Sequence, residues 1–286
     1  MSIITDPPAG NLSGTYLIKF GGNALGGPQD LARLAADIRP ILDQGLHVVV
    51  VHGGGPEITR VMEERNMTAR KVDGIRVTDD AALEVAEEVL SCINAEVVQV
   101  FNESGIPAFG MAGHHRSVVT CVKKDPLPDK DAFGREEMVD LINVGEVDGV
   151  DTTVLKELFQ GGKVPVLYPI CVNREGRHMN VNADTLAYSI AVALGCQEMI
   201  MITDVPGILM DIDDPRSLLG EASIADIDIL IDSGVIKGGM IPKVDGCRKA
   251  LQAGVKSTRM VNGKDPQSIL GDLSRGVRKG TRIYIE

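Results

Sequence analysis

The sequence predicts an α/β protein with a mainly parallel sheet, divided into two lobes. Short runs of β-branched residues bounded by glycine alternate with amphipathic segments of helical period. Strand–helix–strand connections of this kind require parallel strands joined by right-handed crossovers. The alternation breaks around residues 125–176 and then resumes, so we place a boundary near Arg177. This predicts an N-terminal tail over residues 1–13, a first lobe over 14–177 and a second lobe over 178–286.

The first lobe begins with two predicted strands buried on both faces, at Thr15–Phe20 and residues 46–52. Pro28 opens an amphipathic helix between them. A second helix follows Gly55, and a long third helix is predicted over residues 78–102.

Shorter elements are predicted from turn signals and glycine stops in the rest of the chain. In chain order they are a strand over 118–123, a polar excursion over 125–137, a hairpin around Gly145 over 139–150, a strand over 163–168, a turn over 173–176, a helix at Ala183–Leu194, a strand at Glu198–Thr203, and helices over 223–233 and 242–253. Asn182 is expected to cap the Ala183–Leu194 helix, and Ser223 with Asp226 forms a predicted capping box.

Charge and composition exclude several classes of function. Lys and Arg number 29 against 40 Asp and Glu, a net charge of −11, and aromatic residues are 3% with no Trp. Such a chain repels nucleic acids and anionic lipids and lacks stacking platforms for bases. No apolar run approaches the roughly 18 residues of a membrane span and no signal peptide is evident, so we expect a cytoplasmic protein without nucleic-acid or membrane partners.

The five cysteines are widely separated and form no CxxC pair, which predicts neither a disulfide framework nor a zinc site.

Two glycine-rich turns follow the first two predicted strands. Gly21-Gly22 comes after Lys19, a lysine inside an apolar strand, and Gly53-Gly54-Gly55 follows the second strand. Tight turns use glycine routinely, but ligands of open α/β sheets bind beyond the carboxyl ends of strands. Because an unpaired buried ammonium is costly, the lysine favours a phosphate site over a purely structural turn.

Three further positions suit an anionic substrate. Asp184 falls in the first turn of a predicted helix, and Asn180 precedes that helix without a capping role. Lys243 also falls in a first helical turn, after two glycines, where a cation is unfavourable unless an anion is bound beside it. The sequence contains neither GxxxxGK[ST] nor, after the first strand, GxGxxG, which excludes a P-loop NTPase and disfavours a dinucleotide fold.

Six motifs resemble those of the amino acid kinase family in order and spacing. They are KFGGN, VVHGGGPEI, VDGIRVTD, MNVNADT, ITDVPGIL and GGMIPKV, and the resemblance spans the chain from about Thr15 to Thr281. It implies an open three-layer αβα sandwich, with the acceptor site and dimerisation in the first lobe and the MgATP site in the second. The sequence is most similar to members that phosphorylate the γ-carboxylate of N-acetyl-L-glutamate in arginine biosynthesis.

The resemblance also implies a role for each matching residue. The catalytic set is Lys19, Lys243 and Asp184, with Asp184 holding both lysines; phosphate binding falls to backbone N–H groups of Gly21, Gly22, Gly53 and Gly54; substrate binding to Gly54, Gly55, Arg76 and Asn180; and nucleotide binding to Thr203, Asp204, Gly207, Gly239 and Met240. No residue is expected to bind a metal directly, since Mg²⁺ would arrive with ATP. A carboxylate acceptor is already nucleophilic at neutral pH, so alignment and charge stabilisation suffice without a general base.

Departures from the family pattern leave alternatives open. Residues 110–116 replace a Gly-Lys-Asp-Gly-like loop, and residues 125–137 match poorly. The acceptor could therefore be another acyl or carrier-linked amino acid or a different small molecule, and a catalytically silent binding module is a third alternative. The sequence near both ends departs from arginine-inhibited relatives, which predicts an arginine-insensitive homodimer. We expect it to join through residues 78–102, where the apolar positions are Leu83, Val89, Leu90 and Ile93.

Overall fold

A computed structural model describes residues 14–21, 24–25, 27–130, 134–265, 268–271 and 277–286. The predicted tail over residues 1–13 lies outside the described residues. The strands are β1 (Thr15–Phe20), β2 (His47–His52), β3 (Lys71–Val72), β4 (Ile75–Arg76), β5 (Ala108–Ala112), β6 (Val119–Lys123), β7 (Leu127–Lys130), β8 (Glu136–Val139), β9 (Val144–Val150), β10 (Val164–Tyr168), β11 (Ile170–Asn173), β12 (His178–Val181), β13 (Glu198–Thr203), β14 (Glu221–Ser223), β15 (Thr258–Asn262) and β16 (Thr281–Tyr284). The α-helices are α1 (Pro28–Asp43), α2 (Gly55–Glu64), α3 (Asp80–Glu103), α4 (Thr153–Gln160), α5 (Ala183–Leu194), α6 (Ile224–Asp232) and α7 (Ile241–Gln252).

The central sheet has eight strands in the order β14-β16-β15-β13-β1-β2-β10-β5. Neighbouring strands are parallel except for the antiparallel pair β15 and β16. β1 pairs with β2 on one side and with β13 on the other, so strands from both halves of the chain meet at β1. The predicted mainly parallel sheet is confirmed.

Helices cover both faces of this sheet. Alternate residues of β1 point to opposite faces, so Leu17 joins one buried core and Ile18 joins another. The first core includes apolar residues of α4, α5, α6 and α7, and the second includes those of α1 and α3. Because two cores flank one sheet, the molecule is the three-layer αβα sandwich that the sequence predicted.

A small closed barrel of β11, β12, β9 and β6 lies beside the sheet. The predicted hairpin around Gly145 is wrong, because Gly145 lies inside β9 and pairs with β6 and β12. A side chain at this position would come within 2.9 Å of Cys121 Sγ, so glycine serves close packing inside the barrel.

Within residues 125–137, the predicted excursion contains β7 and part of β8, which pair as an antiparallel hairpin. The predicted turn over 173–176 is confirmed, since the Gly176 N–H donates to the Asn173 carbonyl between β11 and β12. The predicted lobe boundary near Arg177 falls within this second hairpin and stays a prediction.

The apolar residues of the long helix α3 pack largely within the protomer. Val89 and Leu90 are buried, while Leu83 and Ile93 are partly buried against the same apolar clusters. The expectation that this helix joins two subunits stays a prediction. None of the described helices is long and apolar enough to cross a membrane.

Candidate active site

The two glycine-rich turns lie side by side at the carboxyl ends of β1 and β2. Phe20 is in register with His52, and the Gly53 N–H donates to the Phe20 carbonyl at 2.9 Å. Gly54 precedes α2 and lies close against α3, where a Cβ atom would stand 2.7 Å from Ile93 Cδ1. A side chain at Gly54 would require the ends of the Ile93 and Leu90 side chains to shift, so glycine suits this close approach. Gly22, the remaining predicted phosphate-binding residue, lies outside the described residues.

A buried histidine fixes the second turn. His52 is fully buried, and its ring nitrogens face the Gly53 carbonyl at 3.1 Å and the Asn94 amide at 3.0 Å. Because the Asn94 amide donates, His52 Nε2 accepts and Nδ1 carries the proton. Burial lowers the pKa of His52 to about 4, so the neutral ring shapes the turn.

Lys19 forms an ion pair with Asp184 across the edge of the sheet. Lys19 Nζ is 2.7 Å from Asp184 Oδ1, and the lysine side chain is only 15% exposed. Asn182 caps α5 by accepting from the N–H groups of Asp184 and Thr185 at 2.8 and 3.1 Å. The predicted cap is thus confirmed, and it fixes the helical turn that carries Asp184.

Arg76 is a buried cation with no carboxylate partner among the described residues. It is 6% exposed, and its Nη2 donates to the Gly55 carbonyl at 3.0 Å and to Thr59 Oγ1 at 2.7 Å. Burial lowers the pKa of Arg76. Since an arginine side chain stays ionised in proteins, a substrate carboxylate would supply the missing countercharge.

These side chains line one cavity of about 260 Å³. Its charged lining residues are Lys19, Lys71, Arg76 and Asp184, three cations against one carboxylate in a chain of net charge −11. Gly21, Gly53, Gly54, Gly55 and Asn180 also line it. Positive charge, backbone amides and the N-terminus of α5 are features that suit an anion, so we call this space the anion cavity.

Lys243 lies outside the lining of that cavity. Its ammonium forms an ion pair with Asp204, which follows β13, and this contact lowers the pKa of Asp204. The expectation that Asp184 holds both lysines is therefore wrong for this structure: Asp184 pairs with Lys19 and Asp204 pairs with Lys243. α7, which carries Lys243, packs against α5, which carries Asp184, so the two ion pairs lie on neighbouring helices.

The predicted nucleotide-binding residues lie along the same edge of the sheet or precede α7. Thr203 ends β13, and its hydroxyl donates to the Val205 carbonyl at 3.0 Å. Gly207 has a φ of 133°, and a Cβ there would lie 2.5 Å from Thr281 Oγ1, so close packing alone requires this glycine. Gly239 and Met240 belong to a single 3₁₀ turn, Gly238–Met240, directly before α7, and Lys243 is the third residue of that helix.

Sequence reasoning missed three residues that support the site. Thr59 receives the Arg76 hydrogen bond, Asn94 fixes His52, and Lys71 lines the cavity. The spacing of Thr59, one turn after Gly55 on α2, was a usable signal. Asn94 and Lys71 gave no such signal. His52, the partner of Asn94, lies far from it along the chain. Lys71 reaches the cavity only because of the β3–β4 hairpin.

The family model for the amino acid kinase family matches residues 14–262. The chain belongs to the amino acid kinase family. This amino acid kinase is 41% identical to an acetylglutamate kinase of Novosphingobium aromaticivorans, over 94% of this chain and 90% of that protein. It is 39% identical to an acetylglutamate kinase of Methanococcus maripaludis, over 95% and 92% of the two chains. Its fold is similar to that of a Giardia carbamate kinase, with a TM-score of 0.66 and 17% identity over 96% and 99% of the two chains.

The departures from the family pattern lie largely away from the cavity. None of residues 110–116 is among its described lining residues, and residues 125–137 are likewise not among them. The departures therefore do not alter the charged groups that an acceptor would meet.

Proposed function

We propose that this amino acid kinase transfers the γ-phosphoryl group of ATP to the γ-carboxylate of N-acetyl-L-glutamate, a reaction of arginine biosynthesis. The cavity with three cations and one carboxylate at the ends of β1 and β2 carries the proposal. Its likeness to acetylglutamate kinases over nearly the whole chain supports this choice of acceptor.

On the acceptor side, Arg76 binds the α-carboxylate and Asn180 binds the acetamido group. Arg76 is held in place by Gly55 and Thr59, so its fork is ordered before substrate arrives. Asn180 lies on β12 with its amide 3.3 Å from Thr78 Oγ1, at the wall of the same cavity. Both contacts address groups that do not react, so they serve binding and orientation.

The transfer needs no proton acceptor. An oxygen of the γ-carboxylate attacks the γ-phosphorus, the bond from that phosphorus to the bridging oxygen breaks, and ADP leaves with the bonding electrons. Lys19 neutralises charge on the transferred group, and Asp184 positions Lys19. Gly21, Gly53 and Gly54 line the path of the phosphoryl group. The Gly53 N–H already donates to the Phe20 carbonyl, so, contrary to the expectation from the sequence, it is not one of the phosphate donors.

On the nucleotide side, ATP is bordered by Thr203, Asp204, Gly207, Gly239 and Met240. Lys243 exchanges its Asp204 partner for phosphate oxygens, an exchange made easier because the Asp204 side chain is 56% exposed. Mg²⁺ bound to ATP neutralises phosphate charge. The glycine turn before α7 and the ammonium of Lys243 are the donor types that phosphate requires.

An ADP-release assay with N-acetylglutamate, glutamate, carbamate, aspartate and uridylate as acceptors tests the proposal. We expect turnover with N-acetylglutamate far above the other four, and an acyl phosphate product that hydroxylamine traps. Turnover with a different acceptor would identify that acceptor as the substrate in place of N-acetylglutamate. Tight ATP binding without turnover on any acceptor would favour a catalytically silent module.

We also propose a homodimer that arginine does not inhibit. β5 is the last strand of the sheet and pairs only with β10 among the described strands, so its outer edge is available to a second copy. Sedimentation should give a dimer, and activity should not change as arginine is added. A hexamer, or inhibition at micromolar arginine, contradicts this proposal.

A further inference from the structure

Two histidines and one glutamate converge outside the anion cavity. Glu87 lies on α3, His114 follows β5, and His178 opens β12. Glu87 Oε1 is 3.2 Å from His114 Nε2, and Glu87 Oε2 is 3.1 Å from His178 Nδ1. The two imidazole rings stack with their centroids 3.9 Å apart. Three elements that are distant in sequence thus direct one carboxylate and two imidazoles to a single point.

The backbone holds both histidines rigidly. The His114 N–H donates to the Ile170 carbonyl at 2.9 Å, and His178 pairs with Val172 across the β11–β12 ladder. Gly113 lets the loop lie this close to β11, since a Cβ atom there would be 2.6 Å from Cys171 Sγ. The main chain at both histidines is therefore held by one strand, β11, before any ligand binds.

The charges of the cluster also suit a cation. The ion pairs of Glu87 within the described residues are with the two histidines, and none is with lysine or arginine. Each of the three side chains is 26–39% exposed, so an ion has a path from solvent.

We propose that Glu87, His114 and His178 form a binding site for Zn²⁺. The three ligand atoms all lie within 4.8 Å of one another. Ligands about 2.0–2.1 Å from one zinc ion can be at most about 4.2 Å apart, so small side-chain rotations suffice. Imidazole ligands select Zn²⁺ over Mg²⁺, which prefers an octahedron of oxygens, so the Mg²⁺ of ATP does not compete.

One of the three ligands, His114, lies in the segment 110–116 that departs from the family pattern. The spacing of the cysteines predicted no zinc site, but that argument does not extend to histidine and glutamate ligands. Leu90 lines the anion cavity one helical turn after Glu87 on α3. Asn180 lines the same cavity two residues after His178 on β12. Bound Zn²⁺ would therefore clamp α3, the loop after β5 and β12 beside that cavity.

Titration of the chelator-stripped protein with Zn²⁺, without nucleotide, tests the site. We expect one Zn²⁺ per chain, and an affinity loss of about 100-fold or more in Glu87→Gln, His114→Ala and His178→Ala. His115→Ala is the matched control, because His115 follows His114 and packs against Phe109 instead. Cys92→Ser controls for zinc capture by the one exposed cysteine among the described residues. Both controls should bind as the wild type does.

Two further measurements guard against misfolded variants. Zn²⁺ should raise the midpoint of thermal unfolding in the wild type and both controls but not in the three ligand variants. Co²⁺ should give visible d–d absorption that disappears in His114→Gln and His178→Gln. Equal Zn²⁺ affinity in the wild type and in the ligand variants overturns the proposal, as does loss of binding in Cys92→Ser alone. Neither result bears on the kinase reaction.

Discussion

Lys19 and Lys243 differ in how firmly the protein holds them. Lys19 is 15% exposed and paired to a carboxylate on the capped start of α5, whereas Lys243 pairs with the half-exposed Asp204. A lysine that must meet an incoming phosphate gains from a weakly held partner, because an exposed ion pair contributes little stability. The two lysines therefore suit different tasks, one fixed before binding and one recruited by nucleotide.

Lys243→Ala is expected to lower kcat by about 10²-fold or more, since it removes one charge donor to the transferred group. Steady-state kinetics with saturating ATP and N-acetylglutamate measures the change. Lys249→Ala is the matched control, because Lys249 is exposed on the last turn of the same helix. An unchanged kcat in Lys243→Ala would show that Lys19 alone serves the transferred group.

Arg76→Ala should chiefly raise the KM for N-acetylglutamate, because Arg76 contacts a carboxylate that does not change during the reaction. The KM for ATP should stay near its wild-type value. Arg65→Ala serves as the control, since Arg65 pairs with Glu88 at the surface. A loss confined to kcat would assign Arg76 to the transferred group instead.

The role of a single residue was predictable where the residue is energetically unfavourable in its local setting. Lys19 inside an apolar strand and Lys243 at a helix start are both unfavourable without an anion. In the structure each forms an ion pair, Lys19 with Asp184 and Lys243 with Asp204. The partner of Lys243 was not predictable, because Asp184 in the first turn of α5 and Asp204 after β13 are both acidic and both fall just beyond a strand. Which carboxylate a flexible lysine reaches depends on distances that only the fold sets.

At the scale of elements, the start of α5 joins stability to catalysis. Asn182→Ala removes the cap and should lower the free energy of unfolding by about 1 kcal/mol. It should also lower kcat, since Asp184 and its partner Lys19 depend on that first turn. Chemical denaturation and kinetics on the same preparation measure the two effects.

Ser223→Ala is a matched control for that prediction. Ser223 caps α6 in a capping box with Asp226, so its loss should destabilise the fold by a similar amount. Ser223 and Asp226 are not among the described residues that line the anion cavity, so kcat should not change. Equal losses of kcat in both variants would attribute the effect of Asn182→Ala to stability alone.

Elements with a complete local signal were predictable, and the small barrel was not. β1 matches its prediction at Thr15–Phe20, and α5 runs from its Asn182 cap to a glycine stop as expected. The sequence around Gly145 predicts a turn, yet Gly145 lies inside β9. Glycine is needed there because Cys121 leaves no room for a side chain. Tertiary packing overrode the local preference for a turn there. The pattern of residues around Gly145 does not indicate that Cys121 lies beside it.

At the scale of the whole molecule, His52 links stability to pH. Its pKa is about 4 in the fold, below the ordinary value of about 6.5. The unfolded chain therefore binds the proton more readily, so the stabilisation is complete above about pH 6.5 and is lost as pH falls toward 4. The loss amounts to about 3 kcal/mol by about pH 4.

His52→Asn should reduce the dependence of the free energy of unfolding on pH between about pH 6.5 and 4. Urea unfolding across that range measures the slope. His47→Asn is the control, because His47 is exposed at the other end of β2. If His52→Asn keeps the full wild-type slope, carboxylates rather than His52 cause the acid sensitivity.

The position of β1 has a consequence for any attempt to divide the protein. In the sheet, β1 is hydrogen-bonded along its length to β2 on one side and to β13 on the other. It also carries Lys19, whose partner Asp184 belongs to the later half of the chain. A chain cut at the turn over residues 173–176 would leave the first fragment with one bare side of β1 and an uncompensated ammonium. Separately expressed halves should thus be inactive and should regain activity on mixing, by fragment complementation.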